Sequence, residues 1–261
     1  MLMNAAVQAV SIAAYAARLA GARSGRVGTA MSLYNLFVTT SRFASMVYTP
    51  MLGALSDRAV RTRELDAFLW QLRLIVFSGA FGAVVGTLAI PTFVMLYLRG
   101  IGSFERHGNV VKAALRLLRP KTVFGVVRDM RFGAEVDTFR FSLRNVPKDV
   151  LVFNTMVSAV YNVGIVAAAY ASVLEPSAAR TALLSSGLVT GVAVIAYNVI
   201  VDPASALMTD QAARGERTID DVKALVTGLS LTAIAGFLLS QLLLVPAGFF
   251  LAHAAAFIAG K

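Results

Sequence analysis

The apolar residues of this chain are gathered into long runs separated by short charged segments. Nothing else in the sequence restricts the fold as strongly. About 20 residues of helix cross a hydrocarbon core, and within lipid every backbone N–H and C=O must be satisfied inside the segment. Only 15% of the 261 residues are charged and 57% are hydrophobic, against about 25% charged in soluble domains. The chain is therefore expected to be an all-α integral membrane protein, with a soluble bundle of buried helices as the poorer description. Six spans are predicted in one membrane domain over 1–261: about 2–20, 27–50, 74–98, 150–174, 180–201 and 222–245. The last apolar stretch, 222–258, is about 55 Å long as helix, too long for one upright crossing of ~30 Å. Pro246 and Gly248 are expected to break it and leave 247–260 at the interface. The N-terminal stretch lacks a basic region ahead of its apolar core, so it is expected to be a retained span and not a cleaved signal.

The formal charge of +10 would suggest nucleic acid in a soluble protein. Here it points to cytoplasmic loops and anionic membrane lipid, with no role for nucleic acid. Segment 99–148 holds eleven Lys or Arg and four Asp or Glu. Within it, NVVKAALRLLRP sets Lys112, Arg116 and Arg119 on one side of a helix and Val111, Leu115 and Leu118 on the other. That pattern suits a basic amphipathic helix lying on the membrane surface. Placing this segment, the turn with Arg23 and Arg26, and the loop 202–221 in the cytoplasm puts most basic residues inside. Both termini then lie outside, and 56–73 becomes an outer loop.

Polar residues recur inside the spans at helical spacing. The first carries Asn4, Gln8, Ser11, Tyr15 and Arg18, and the second Ser32, Asn35, Thr39 and Arg42. The fourth carries Asn154, Ser158 and Tyr161 with Asn162 beside them, and the fifth has Tyr197 and Asn198. Steps of three and four keep each set on one helix face. Side chains of this kind turn away from lipid, either bonding helix to helix or lining a hydrated cavity. Ser78, Gly82 and Gly86, and Gly187 with Gly191, are read as packing ridges.

Arg42 lies near the middle of its span, where an unpaired guanidinium costs at least ~2.5 kcal/mol. The six spans offer no mid-membrane carboxylate to pair with it. A guanidinium keeps its charge and forks well onto phosphate, so Arg42 is read as an anion-binding residue on a cavity wall. Arg18, Arg23 and Arg26 are candidates for capture of the anion at the inner face.

In VDPASALMTD, 201–210, Asp202 before Pro203 has the form of a helix N-cap. Asp202 and Asp210 are also candidates for ion or proton coupling. There is no cysteine, His107 and His253 are far apart, and no metal ligand set or cofactor is expected. NAAVQAV at 4–10 resembles NTMVSAV at 154–160, and Tyr-Asn recurs at 34–35, 161–162 and 197–198. With three spans in each half, these would be 3+3 inverted repeats, the build of many transporters.

The stretches AARLAGARSGRVGTAMSLYNLFVTTSRFASM, NTMVSAVYNVGIVAAAYASVL and VDPASALMTD resemble the Amj family of lipid II flippases, the "alternate to MurJ" proteins of bacteria. The resemblance implies a multi-pass protein of the bacterial cell membrane acting in cell-wall synthesis. Its substrate would be the undecaprenyl-diphosphate-linked peptidoglycan precursor, lipid II. The family implies no fixed set of functional residues. The candidates for substrate binding read from this sequence are Arg42, Arg18, Arg23, Arg26, Asn35, Thr39, Tyr15, Gln8, Asn154, Tyr161, Asn162 and Asn198. An oligomer is compatible with the sequence. Two other classes stay open: a membrane enzyme on polyprenyl phosphates, for which Asp202, Asp210, Asp220 and Asp221 would be the acids, and an ion-coupled carrier of a small anion.

Overall fold

A computed structural model describes residues 1–107, 139 and 142–260, with only the backbone at Arg42 and at 105–107. The amphipathic stretch 109–120 lies outside the described residues. Among those described there is no strand. The helices are α1 (Leu2–Ala13), α2 (Ala16–Ser24), α3 (Val27–Thr62), α4 (Leu65–His107), α5 (Lys148–Leu174), α6 (Ala179–Leu184), α7 (Ser186–Ala196), α8 (Asp202–Ala213) and α9 (Ile219–Ile258). A 3-10 turn, Pro176–Ala178, precedes α6, and a π-helical turn, Tyr197–Val201, joins α7 to α8. Five segments are long and apolar enough to cross a membrane: Leu2–Ser24, Leu65–Phe104, Lys148–Leu174, Pro176–Ala213 and Ile219–Ile258. The chain is an all-α, multi-pass membrane protein.

Three expectations change. The stretch 56–73 is not a loop: α3 and α4 run through it and turn only at Arg63 and Glu64, with Arg63 left-handed at φ 57°. The stretch 202–221 is likewise mostly helix, since α8 extends to Ala213. Nor does Pro246 break the last helix, because α9 is continuous over 40 residues. One proline removes one backbone bond, which a helix packed along its length can absorb. Gly248 supplies that packing, for a methyl there would collide with the Tyr170 ring. Leu251 and Ala255 beyond it are fully buried, so the tail packs on α5. The 36-residue α3 is not among the five segments, because its Ser, Thr, Asn and Arg residues dilute its hydropathy.

Two helix pairs organise the core. α1 lies against α4 and α5 against α9, and the same contact is made twice. Asn4 Nδ2 donates to the Ile75 carbonyl at 2.8 Å and to Ser78 Oγ at 3.3 Å. Asn154 Nδ2 donates to the Leu229 carbonyl and to Thr232 Oγ1, both at 2.8 Å. One turn further, Gly82 sits on the backbone of Ala5 and Gly236 on that of Thr155. Each asparagine thus bonds positions three apart, with a glycine four residues beyond the second. At the inner end expected from the basic residues, α9 starts with a capping box of Thr218 and Asp221. Asn145, just before α5, donates to Asp221 at 2.7 Å.

Candidate functional site

The two irregular stretches of backbone face each other. Between α1 and α2 the hydrogen bonds tighten to three-residue steps: Tyr15 N–H to Ile12 O, Ala17 N–H to Ala14 O and Arg18 N–H to Tyr15 O, at 3.0–3.1 Å. Opposite them is the π-helical turn that begins at Tyr197 and ends just before Asp202. Mid-helix departures of both kinds concentrate at functional sites, and discontinuous helices build many transporter sites.

Arg18 occupies the space between them and is fully buried. Its Nη2 donates to Asp202 Oδ1 at 2.6 Å and to Tyr197 Oη at 3.4 Å. The guanidinium carbon lies 5.4 Å from the centre of the Tyr15 ring and 5.3 Å from that of Tyr34, close enough for cation–π attraction. The hydroxyls of Tyr15 and Tyr34 turn toward that of Tyr197. Arg18 Nε and Nη1 and the buried Tyr97 hydroxyl have no hydrogen-bond partner among the described residues. Asp202 is not an N-cap: Val201 holds that position and the Asp202 carboxylate is given to Arg18 instead.

A cavity of about 100 Å³ adjoins the cluster, large enough to hold several waters. Gln8, Ser11 and Tyr15 line it from α1 and the α1–α2 break. Tyr34 and Ser41 come from α3, Ser158 and Tyr161 from α5, and Tyr197 and Asn198 from the π turn. Ser11 and Ser41 share a hydrogen bond of 2.9 Å across it. A second hollow, of about 430 Å³, lies between α3 and α7 and is lined by Ser45, Met46, Thr49, Gly187, Thr190 and Gly191. Tyr161 and Val194 belong to both. Nothing lies within 4 Å of where a methyl on Gly187 or Gly191 would be. Those two glycines are an open wall and not a packing ridge, whereas Gly82 and Gly86 do pack, on Ala5 and Ala9.

The family model for Amj, "Alternate to MurJ", matches residues 3–255. The protein called "Lipid II flippase Amj" from Bacillus subtilis (strain 168) is 31% identical over 247 residues, covering 94% of this chain and 91% of that one. The chain belongs to the Amj family. No solved structure matches it.

In this Amj-family protein the residues singled out in the sequence separate into groups. Gln8, Tyr15, Tyr161 and Asn198 line the first cavity. Arg18 stands behind Tyr15, Tyr34 and Tyr197 and is paired with Asp202. Asn154 and Asn162 are not on the cavity: both are buried, and Asn162 Nδ2 donates to Ser240 Oγ at 2.9 Å and the Val76 carbonyl at 3.2 Å. Asn35 and Thr39 are exposed on the outer side of α3, and Arg23 and Arg26 are exposed about the α2–α3 turn. The side chain of Arg42 lies outside what is described. Its backbone position is four and seven residues before Met46 and Thr49, on the α3 face that borders the second hollow. Asp210 is exposed, eight residues beyond Asp202 on the same helix and apart from the Arg18 cluster. Asp220 pairs with Lys223 at 3.1 Å, and Asp221 serves the capping box. Sequence reasoning left Tyr34, Tyr97, Tyr197 and Ser41 out of the site. The recurrence of Tyr-Asn at 34–35 and 197–198 was the available signal for two of them.

Proposed function

We propose that this Amj-family protein is a lipid II flippase. It would carry the undecaprenyl-diphosphate-linked precursor from the inner to the outer leaflet of the bacterial cell membrane. The disaccharide-peptide headgroup cannot enter hydrocarbon without losing water from every polar group. A polar passage between helices removes that barrier, while the prenyl chain stays in lipid. The observation that carries this reading is a cavity into which both halves of the chain bring hydroxyls and amides, among apolar neighbours such as Ile12, Val38, Val157 and Phe237, and which shares Tyr161 and Val194 with a hollow between α3 and α7. The name of the Bacillus subtilis relative points the same way.

The halves contribute matching positions to the cavity. With Asn4 set against Asn154, Gln8 matches Ser158 and Ser11 matches Tyr161. Tyr34 and Tyr197, each followed by asparagine, come from the second helix of each half. We read this as a 3+3 inverted repeat with its site at the interface of the repeats, the plan by which one half rocks against the other to alternate access. Pockets for drug-sized ligands span ~300–1,000 Å³. A cavity of about 100 Å³ is too small by itself for the headgroup, and in this reading the helices part to admit it. Arg23 and Arg26 would gather the diphosphate at the inner face, and Arg42 would hold it midway, beside the hollow that lets the prenyl chain pass.

The test uses cells that depend on this protein alone for flipping. Labelled lipid II should appear at their outer face and vanish on depletion of the protein. Arg42→Ala should insert normally and stop that appearance, and Arg42→Lys should restore only part of it if forked phosphate contact matters. Normal transport by Arg42→Ala would remove Arg42 from the mechanism. Translocation of a small anion with none of lipid II would overturn the reading itself.

A further inference from the structure

We propose that Arg18 is an exchangeable anion site: Asp202 fills it at rest, and the substrate's diphosphate takes it over when the cavity opens. This rests on the flippase reading above and assigns a specific exchange to one pair within it.

The pair is lopsided in two ways. First, only one guanidinium nitrogen, Nη2, engages Asp202, by a single contact of 2.6 Å. A guanidinium has five N–H donors in a fixed fork, and an arginine–carboxylate pair frequently uses two of them on one carboxylate. Here Nε and Nη1 are buried with no partner among the described residues, and the Tyr97 hydroxyl is in the same condition. Those donors suit a ligand with several acceptor oxygens better than the single carboxylate oxygen present. Second, the Arg18 side chain is 0% exposed and that of Asp202 is 33% exposed. The carboxylate has open space beside it into which it can withdraw, whereas the guanidinium, held between the Tyr15 and Tyr34 rings, has none. Asp202 is therefore the partner that leaves.

The backbone on both sides is made to yield. Arg18 follows the tightened turn between α1 and α2, and Asp202 follows the π-helical turn. Reversion of either turn to regular helix shifts the residue beyond it without unfolding the span. The rings of Tyr15, Tyr34 and Tyr197 stand between the guanidinium and the cavity they line. Rotation of one ring opens a path from the cavity to the free donors. A phosphate group, with its tetrahedral oxygens, then meets the fork and can accept from a tyrosine hydroxyl as well.

The test is equilibrium binding to the full chain in lipid nanodiscs, with three probes: a short-chain prenyl diphosphate, the prenyl alcohol of the same chain length, and inorganic pyrophosphate. Wild-type protein should bind the prenyl diphosphate and not the alcohol. Pyrophosphate competing for the same site would place recognition in the diphosphate alone; failure to compete would place it in the lipid-linked form, and both agree with the proposal. Asp202→Asn removes the resident charge and should tighten diphosphate binding about tenfold. Arg18→Gln combined with Asp202→Asn is a neutral pair that keeps the shape and should bind the diphosphate at least tenfold more weakly than the wild type, leaving only what Arg23, Arg26 and Arg42 hold. Unchanged or weaker binding by Asp202→Asn would make the pair purely structural and overturn the proposal. Wild-type diphosphate affinity in the neutral double variant would overturn it too, and decides the matter if the single variant does not fold. Unaltered affinities in a protein that still delivers lipid II sink this site alone. The expected affinity pattern in a protein that delivers none sinks the flippase reading and leaves the site.

Discussion

At the scale of single residues, one side-chain type performs two tasks that sequence does not separate. Asn154, Asn162 and Asn198 all fall on polar stripes, yet the first two bond helix to helix and only Asn198 reaches the cavity. Helical spacing tells which residues share a face; what that face meets is decided by the neighbouring helix. The consequence is measurable. Asn154→Ala removes two hydrogen bonds between α5 and α9, and such bonds average about 0.6 kcal/mol each in a membrane, with a maximum of about 1.7. The variant should lose about 1–2 kcal/mol of stability in an unfolding assay in bicelles. Asn198→Ala, at an exposed position on the cavity wall, should leave stability nearly unchanged and lower transport of lipid II. Equal stability losses in the two variants would contradict the division. The pairing of Arg18 with Asp202 was legible only as two separate suggestions, because they are 184 positions apart and nothing in the spacing brings them together.

At the scale of helices, the same limit appears in the glycines. Gly82 with Gly86 and Gly187 with Gly191 have identical spacing, and both pairs lie in apolar runs. In the fold the first pair touches backbone and the second touches nothing. Gly236 belongs with the first, since a methyl there would meet the Thr155 carbonyl and the Ser158 side chain. Gly236→Val must push α5 from α9, and overpacking of this kind costs about 1–3 kcal/mol or more. Gly191→Leu fills open space and should leave the melting temperature within error while blocking the hollow between α3 and α7. Thermal unfolding and lipid II delivery, measured on both variants, should therefore move in opposite ways. Helix existence was read well because runs of about twenty apolar residues admit little else. Helix ends were read poorly. Charged residues such as Arg58, Arg61 and Asp66 mark an aqueous boundary, but α3 and α4 continue as helix past the point where hydropathy stops.

At the scale of the whole molecule, the fold class and the family were legible, and the site was legible only in outline. Stripes on several spans led to the expectation of a common interior, and Gln8, Ser11, Tyr15, Ser41, Ser158, Tyr161 and Asn198 do meet at one cavity, beside apolar Ile12, Val38, Val157 and Phe237. Its walls, the tyrosines around Arg18 and the second hollow depended on contacts far apart in the chain. The repeat and the direction of insertion make one joint prediction. The chain has no cysteine, so each introduced cysteine is the sole thiol. If the basic turns lie inside, Glu216→Cys between α8 and α9 should react with an impermeant reagent only in inverted membrane vesicles. Glu64→Cys, at the α3–α4 turn, should react only in intact cells with the outer barrier removed. Ser11→Cys and Ser158→Cys occupy matching positions on the two sides of the cavity. An inverted repeat that rocks about this cavity must expose both to each side in turn. Each should therefore be labelled from both sides while substrate is cycling, and more slowly from both when substrate is depleted. Reaction from one side alone, under every condition, would leave a one-sided pocket and no route across the membrane. Reversed labelling of Glu216→Cys and Glu64→Cys would invert the orientation, place Arg23 and Arg26 at the outer face, and exclude them from capturing a precursor made inside.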